Sequence, residues 1–336
     1  MGDSGQGISE RGFLAVLWTL AAVTTVLFIG RLSIRCILVK TFHLDDFFSA
    51  VAWFVMVLAI IVATLPNPIN YKSGAIIVGE VPTPPLPELI DITITLRKWN
   101  LAGELFFWIG LYCAKLSFLF LYRVVFGPNG RYRIAWIVVT TYIVLSFGIC
   151  LIGVFGECGD VRNLFSYDVC TSAYVKGLDI RYIWVDYFFN VTSDLAVALL
   201  PIPVIWCLNM PVRQRLAVTS IFSLAAITIA FDTVRTVKLF TENFALTNLY
   251  AYIELIIAVM MCMLPSYRFL VSPTDKDREY RRLFWSRITL RGYHSPSSDY
   301  SMRTLGHRRS NQSERPINVP ETAADGAPSV LVSSRV

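Results

Sequence analysis

The chain has 336 residues, 55% of them hydrophobic and only 16% charged, with a formal net charge of +6 and a mean hydropathy of +0.55. A soluble domain of this length sits nearer about 45–50% apolar and about 25% charged. Composition therefore excludes an ordinary soluble domain, and the apolar excess is clustered, as a polytopic membrane protein requires.

Seven apolar stretches succeed one another, at about 12–34, 47–65, 99–122, 134–156, 182–208, 216–238 and 250–271. Each is close to the ~20 residues that a hydrocarbon core demands. No water is present there to satisfy a free peptide group, so each must be a helix. The fold class expected is all-α, a seven-transmembrane helix bundle over 12–271. It follows a short N-terminus (1–11) and precedes a basic juxtamembrane segment (272–294) and a tail (295–336). The first stretch lacks a basic flank and a small-x-small cleavage site, so it reads as a retained helix and not a signal peptide.

Lys and Arg in the short loops set orientation. Arg31, Arg35, Lys40, Arg123, Arg131, Arg133, Arg213 and Arg215 fall on one side, with Arg268 to Arg287 after the last span; the other side carries fewer. The bias places the N-terminus outside and the C-terminus in the cytosol. The 66–98 connection is then the longest outer loop, with an extended, semi-rigid proline run at Val81–Pro87. Tyr280, Leu283, Phe284 and Ile288 share one face amid arginines, which predicts an amphipathic helix on the inner leaflet. Residues 295–336 are rich in Ser, Arg, Pro and Asn and read as disordered.

Of seven cysteines, Cys36, Cys113, Cys150, Cys207 and Cys262 lie in spans or at inner helix ends and read as small buried hydrophobes. Cys158 and Cys170 share an outer, oxidising loop, where a disulfide is expected.

Ionisable residues inside spans are costly and mark candidate sites. Glu104 and Lys115 lie in the third span. Asp186, Asn190 and Asp194 lie four residues apart on one face of the fifth. Asp232 and Arg235 are in the sixth and Glu254 is in the seventh. By depth, Glu104, Asp186, Asn190, Asp232, Arg235 and Glu254 fall in the outer half, and Lys115 and Asp194 lie deeper. Buried charges must pair. Arg235 is expected to meet Glu254, Asp232 or Asp186, and Lys115 to meet Asp194. Two readings follow: a polar ligand pocket open to the outside, or interhelical salt bridges that only fix packing.

Several chemistries lack their residues. His43, His294 and His307 lie outside the spans, so the bundle holds no histidine ligand for a hydrolytic zinc ion, and no other metal or cofactor is expected. The seventh span has no Lys for a retinal Schiff base. No phosphate-binding loop and no nucleophile elbow occur, so the chain is not expected to be an enzyme.

The order of short motifs resembles the large fungal family of seven-helix membrane proteins labelled with a rhodopsin domain. The motifs are Gly30-Arg31-Leu32 with Arg35, Asp45-Asp46, Lys115-Leu116-Ser117, Leu121-Tyr122-Arg123, and the Cys158 and Cys170 pair. They continue with Asp194, Leu199-Leu200-Pro201-Ile202-Pro203-Val204-Ile205-Trp206, Leu208-Asn209-Met210, Arg235, Glu254 and Leu264-Pro265. Asp45-Asp46 suits the N-terminus of the second helix, and Pro201 and Pro203 should kink the inner end of the fifth. The resemblance implies a receptor-like protein of the plasma membrane that senses an extracellular cue. Its expected partners are the lipid bilayer, a small extracellular ligand and a cytosolic signalling protein such as a G-protein, with no nucleic acid. A small-solute or ion transporter or channel is the alternative. The cysteine-rich module that receptor-like members carry ahead of the first helix does not fit in residues 1–11. The Asp-Arg-Tyr and Asn-Pro-x-x-Tyr signatures of animal receptors do not occur.

Overall fold

The computed structural model describes residues 8–36, 42–126, 130–156, 158, 159, 162, 164, 165, 170, 173–202, 212–240 and 244–267. The basic segment at 272–294, the tail at 295–336, Cys207 and Pro203 lie outside these residues.

Among the described residues all regular structure is helical. There are eight α-helices: α1 (Glu10–Ile34), α2 (Leu44–Thr64), α3 (Asn67–Val78), α4 (Leu86–Phe126), α5 (Gly130–Gly156), α6 (Ala173–Leu199), α7 (Val212–Phe240) and α8 (Phe244–Met263). A 3-10 turn, Leu264–Tyr267, ends the series at Pro265. Each expected span overlaps one long helix, the fifth and the seventh running on past the described residues. Five helices, α1, α2, α4, α5 and α8, are long and apolar enough to cross a membrane. The remaining long helices, α6 and α7, carry Asp186, Asn190, Asp194, Asp232 and Arg235.

The long helices pack in chain order around a ring that closes where α8 meets α1. α4 and α8 also reach across it, α4 to α6 and α8 to both α2 and α4. The core follows from that placement: Trp108, Leu111 and Leu119 of α4 and Leu255, Ile256 and Met263 of α8 are fully buried. Large apolar side chains point outward instead from α1 (Val26, 69% exposed) and α5 (Ile152, 67% exposed). In water so wide an apolar surface would drive association; in lipid it is the matched face. Hydroxyls in the spans hide by donating to the carbonyl one turn back, as Thr24 does to Leu20 and Thr140 to Trp136.

Two elements differ from the sequence expectation. The 66–98 connection is largely helical: α3 starts at Asn67-Pro68, where proline suits a first turn. It stops at Gly79, whose φ of 83° lets Glu80 N–H bond back to Ala75 O at 3.0 Å. Only residues 81–85 of the proline run lie outside a helix. α4 then begins at Leu86-Pro87-Glu88 and continues for 41 residues without a break. Hydropathy located its apolar stretch from residue 99, but a helix end is set by its backbone partners. At the other boundary, α6 ends at Leu199, two residues before Pro201.

One end of the bundle holds the disulfide between Cys158 and Cys170. Both cysteines are buried with Leu164 in a small apolar cluster against Leu101. The opposite end is tied by Arg31 of α1. Its guanidinium is 2% exposed and meets Asp45 and Asp46 of α2, each at 2.8 Å, while a third nitrogen donates to the Cys262 carbonyl of α8. Arg35, one turn on, joins the same two carboxylates at 2.9 Å. Asp46 also accepts from the His43 backbone N–H at 3.3 Å, and Ser117 of α4 donates to the Asp45 carbonyl. This clamp binds four helices together. With both carboxylates occupied by guanidinium groups, the cluster of His43, Asp45 and Asp46 does not suit a metal ion.

Gly30 lets the clamp close. The Tyr267 hydroxyl donates to Leu27 O at 2.6 Å and lies where a Cβ on Gly30 would stand. Gly30→Ala gains about 1 kcal/mol of helix propensity but forces an overpacking cost of about 1–3 kcal/mol. The expected result is a lower melting temperature in mild detergent, partly restored by adding Tyr267→Phe. A Gly30→Ala protein that melts higher than the parent would show that the contact is loose.

Candidate functional site

A cavity of about 320 Å³ opens at the disulfide end between α4, α5, α6, α7 and α8. Of the residues singled out in the sequence, Glu104 of α4, Asp186 of α6 and Arg235 of α7 line it. Local packing explains how their helices come close enough. The Tyr252 hydroxyl packs where a Cβ on Gly103 would lie, 2.7 Å away, and Tyr182 does the same at Gly156 at 2.8 Å. Gly153 leaves room for the Asp186 carboxylate. Tyr182, Tyr252, Asn100, Asn248 and Thr247 complete the polar wall. Sequence reading missed these side chains, because Tyr and Asn near helix ends are common and no charge marked them.

Asn190, Asp232 and Glu254 do not line the cavity; they stand behind Arg235. Arg235 Nη2 lies 2.8 Å from Asp232 Oδ1, and its Nε lies 3.3 Å from Glu254 Oε2. The guanidinium also sits over the rings of Phe107 at 4.9 Å and Trp108 at 5.8 Å. Asp232 and Glu254 are fully buried, so each carboxylate needs that cation. Spacing brings Asp232 and Arg235 together on one helix face, and α8 supplies Glu254 from the neighbouring helix.

The network continues inward. Asn190 Nδ2 donates to Glu254 Oε1 at 2.9 Å, and its amide oxygen accepts from Lys115 Nζ at 2.7 Å. Lys115 also reaches Ser193 Oγ at 2.6 Å and Asp194 Oδ1 at 2.9 Å, and it sits over the Tyr112 ring at 5.1 Å. A continuous run Asp232–Arg235–Glu254–Asn190–Lys115–Asp194 thus crosses α7, α8, α6 and α4. It ends beside a second cavity of about 50 Å³ that both Lys115 and Asp194 line, with Thr228 of α7. The four-residue spacing of Asp186, Asn190 and Asp194 distributes α6 along this run. Asp186 faces the large cavity, Asn190 lies in the middle and Asp194 borders the small cavity.

Chemically, the arrangement offers hydrogen-bond acceptors, two aromatic hydroxyls and one guanidinium to a small guest. Sequence reading overlooked one further buried cluster, the Arg31 clamp. As loop charges Arg31 and Arg35 only report orientation; their four-residue spacing and the Asp45-Asp46 pair carry the signal of the clamp.

The sequence profile described as fungal rhodopsin domain matches residues 30–273. The chain is also similar to the Wortmanamides biosynthesis cluster protein C of Talaromyces wortmannii. The two are 24% identical over 273 residues, covering 77% of this chain and 72% of that protein. No solved structure matches the chain.

Proposed function

The chain belongs to the fungal rhodopsin domain family of membrane proteins, and from that premise we propose that it is a receptor-like protein of seven transmembrane helices. In this reading α6 and α7 cross the bilayer beside the five strongly apolar helices, their charges turned into the bundle. The N-terminus lies outside and the C-terminus in the cytosol. Two features support that orientation: Arg31 and Arg35 at the end of α1 and Arg123 near the end of α4 lie at the clamp end, and the disulfide stands at the opposite end, where an oxidising compartment would form it. The membrane is the plasma membrane.

The carrying observation is the 320 Å³ cavity joined to a buried polar run. A volume near the lower end of ligand sites, about 300–1,000 Å³, suits a small molecule. A guest touching Arg235 would change its balance between Asp232 and Glu254. That change would pass through Asn190 to Lys115 and Asp194. A cytosolic signalling protein such as a G-protein would read the resulting shift of α6 and α7. No enzymatic step is assigned, because the charged groups along the run engage one another and leave no nucleophile beside a free base among the described residues.

The test is purification of the full chain from mild detergent through a tag on its C-terminal tail. A G-protein α subunit that co-purifies and leaves on adding a non-hydrolysable GTP analogue would support the receptor reading. A folded, membrane-resident protein that brings none would count against it. The second cavity at the inner end of the run favours one other reading, a small-solute or ion transporter. Solute flux in vesicles reconstituted with the protein, lost in Lys115→Met, would move the assignment there.

A further inference from the structure

We infer that the buried polar run binds one proton, shared by Asp232 and Glu254 behind the large cavity. The inference goes beyond the proposed function and holds for a receptor and for a transporter alike. Charge balance carries it. Asp232 and Glu254 are fully buried and converge on one guanidinium, that of Arg235. Glu104 acts on the same guanidinium from α4. Lys115, the next cation along the run, is held by Asp194. From Asp232 to Asp194 the run therefore sets three carboxylates against two cations, before Glu104 is added. A buried carboxylate without its own counter-charge is neutralised instead of staying ionised.

The oxygens point the same way independently. Arg235 Nη2 donates to Asp232 Oδ1, and Asn190 Nδ2 donates to Glu254 Oε1. The second oxygens, Asp232 Oδ2 and Glu254 Oε2, are buried and accept no hydrogen bond. A proton suits such an oxygen: an O–H bond forms there and the surplus charge is gone. The proton comes from water in the cavity and returns to it, past Arg235 and Glu104 in the cavity wall. Because both carboxylates share Arg235, the proton belongs to the pair and not to one residue. Other charged groups reach the pair from α4 (Glu104, Lys115) and α6 (Asp194); Asp186 of α6 faces the cavity and Cys150 of α5. On α1 and α2, Arg31 and Arg35 are held by Asp45 and Asp46 in the clamp at the other end.

The experiment uses the full chain in an uncharged detergent. Infrared spectra at neutral pH read the carbonyl band of an un-ionised carboxylic acid, which shifts in heavy water. The expected result is such a band in the parent, lost in Asp232→Asn and lost equally in Glu254→Gln. Either substitution leaves one buried carboxylate facing Arg235, and that one ionises. Melting curves give a second readout. In the unfolded chain carboxylates titrate near ~4, so above that pH the folded chain holds one proton more. Stability then falls as pH rises from ~4, by up to about ten-fold in the folding equilibrium per pH unit, until the proton leaves. The slope should be shallower in either variant. A parent without the acid band overturns the inference, and so does a band that survives both substitutions. Replacing sodium by N-methylglucamine at fixed ionic strength tests the other source of positive charge. A parent that melts lower after this exchange and shows no acid band carries a metal cation there instead of a proton. The band, the pH profile and the sodium exchange are all read on the unaltered protein, so a variant that fails to fold does not block the result.

Discussion

Arg31→Ala should destabilise the protein by about 3–5 kcal/mol, the usual consequence of stripping one partner from a buried ion pair. The side chain is 2% exposed and satisfies three acceptors on two other helices: Asp45, Asp46 and the Cys262 carbonyl. Its removal leaves two buried carboxylates with Arg35 alone, which is 15% exposed and makes no bond to α8. The α1–α8 seam also loses its polar tie. Arg31→Lys should fall between, because a point-like ammonium cannot span two carboxylates and a carbonyl as a planar fork does. Thermal unfolding in mild detergent reads the series, with Arg35→Ala as the milder control. An Arg31→Ala protein that melts with the parent would show that Arg35 alone suffices for the carboxylates.

A comparable loss is expected at Lys115. Lys115→Met removes the cation from Asp194 and a donor from Asn190, again at a cost of about 3–5 kcal/mol. Adding Asp194→Leu should recover most of it, because an apolar pair of similar volume replaces a buried ion pair at little cost. The double-mutant cycle gives the coupling directly. Failure of the second substitution to restore any stability would mean that Lys115 acts mainly through Asn190 and Ser193, which it reaches at 2.7 and 2.6 Å. The recovered double variant has a further use. It severs the polar run while keeping the fold, so loss of partner release in that background would trace signalling to the run itself.

Much of this architecture is legible in the sequence, because a bilayer leaves so few solutions. A stretch such as 134–156 has no stable form in hydrocarbon except a helix, and α5 spans Gly130–Gly156. The pairings of Lys115 with Asp194, and of Arg235 with Asp232 and Glu254, follow from the cost of burying a lone charge. Helix ends are less legible. α4 reaches back to Leu86 through Asp91, Arg97 and Lys98, because hydrogen bonding to Pro85 O starts it and hydropathy has no bearing on that. The cavity wall was half visible: Glu104, Asp186 and Arg235 carry charge. Tyr182 and Tyr252 come into place only through Gly156 and Gly103, a packing relation between helices far apart in the chain. Arg31 shows the opposite limit. The same residue type serves as a lipid-facing flank or as a buried clamp, and only the facing Asp45-Asp46 pair distinguishes them.

The length of α4 has a mechanical consequence. At ~1.5 Å per residue, its 41 residues make a rod of about 60 Å, twice the ~30 Å of a hydrocarbon core. Its first turns, from Leu86 to Asn100, precede Glu104 and run on through it to Lys115 in one unbroken helix. A load on those turns, from α3, which packs against α4, or from anything that grips them, therefore acts on a lever. The cavity wall lies on the lever near the load, and the far arm carries Lys115 and Ser117 toward the Arg31 clamp.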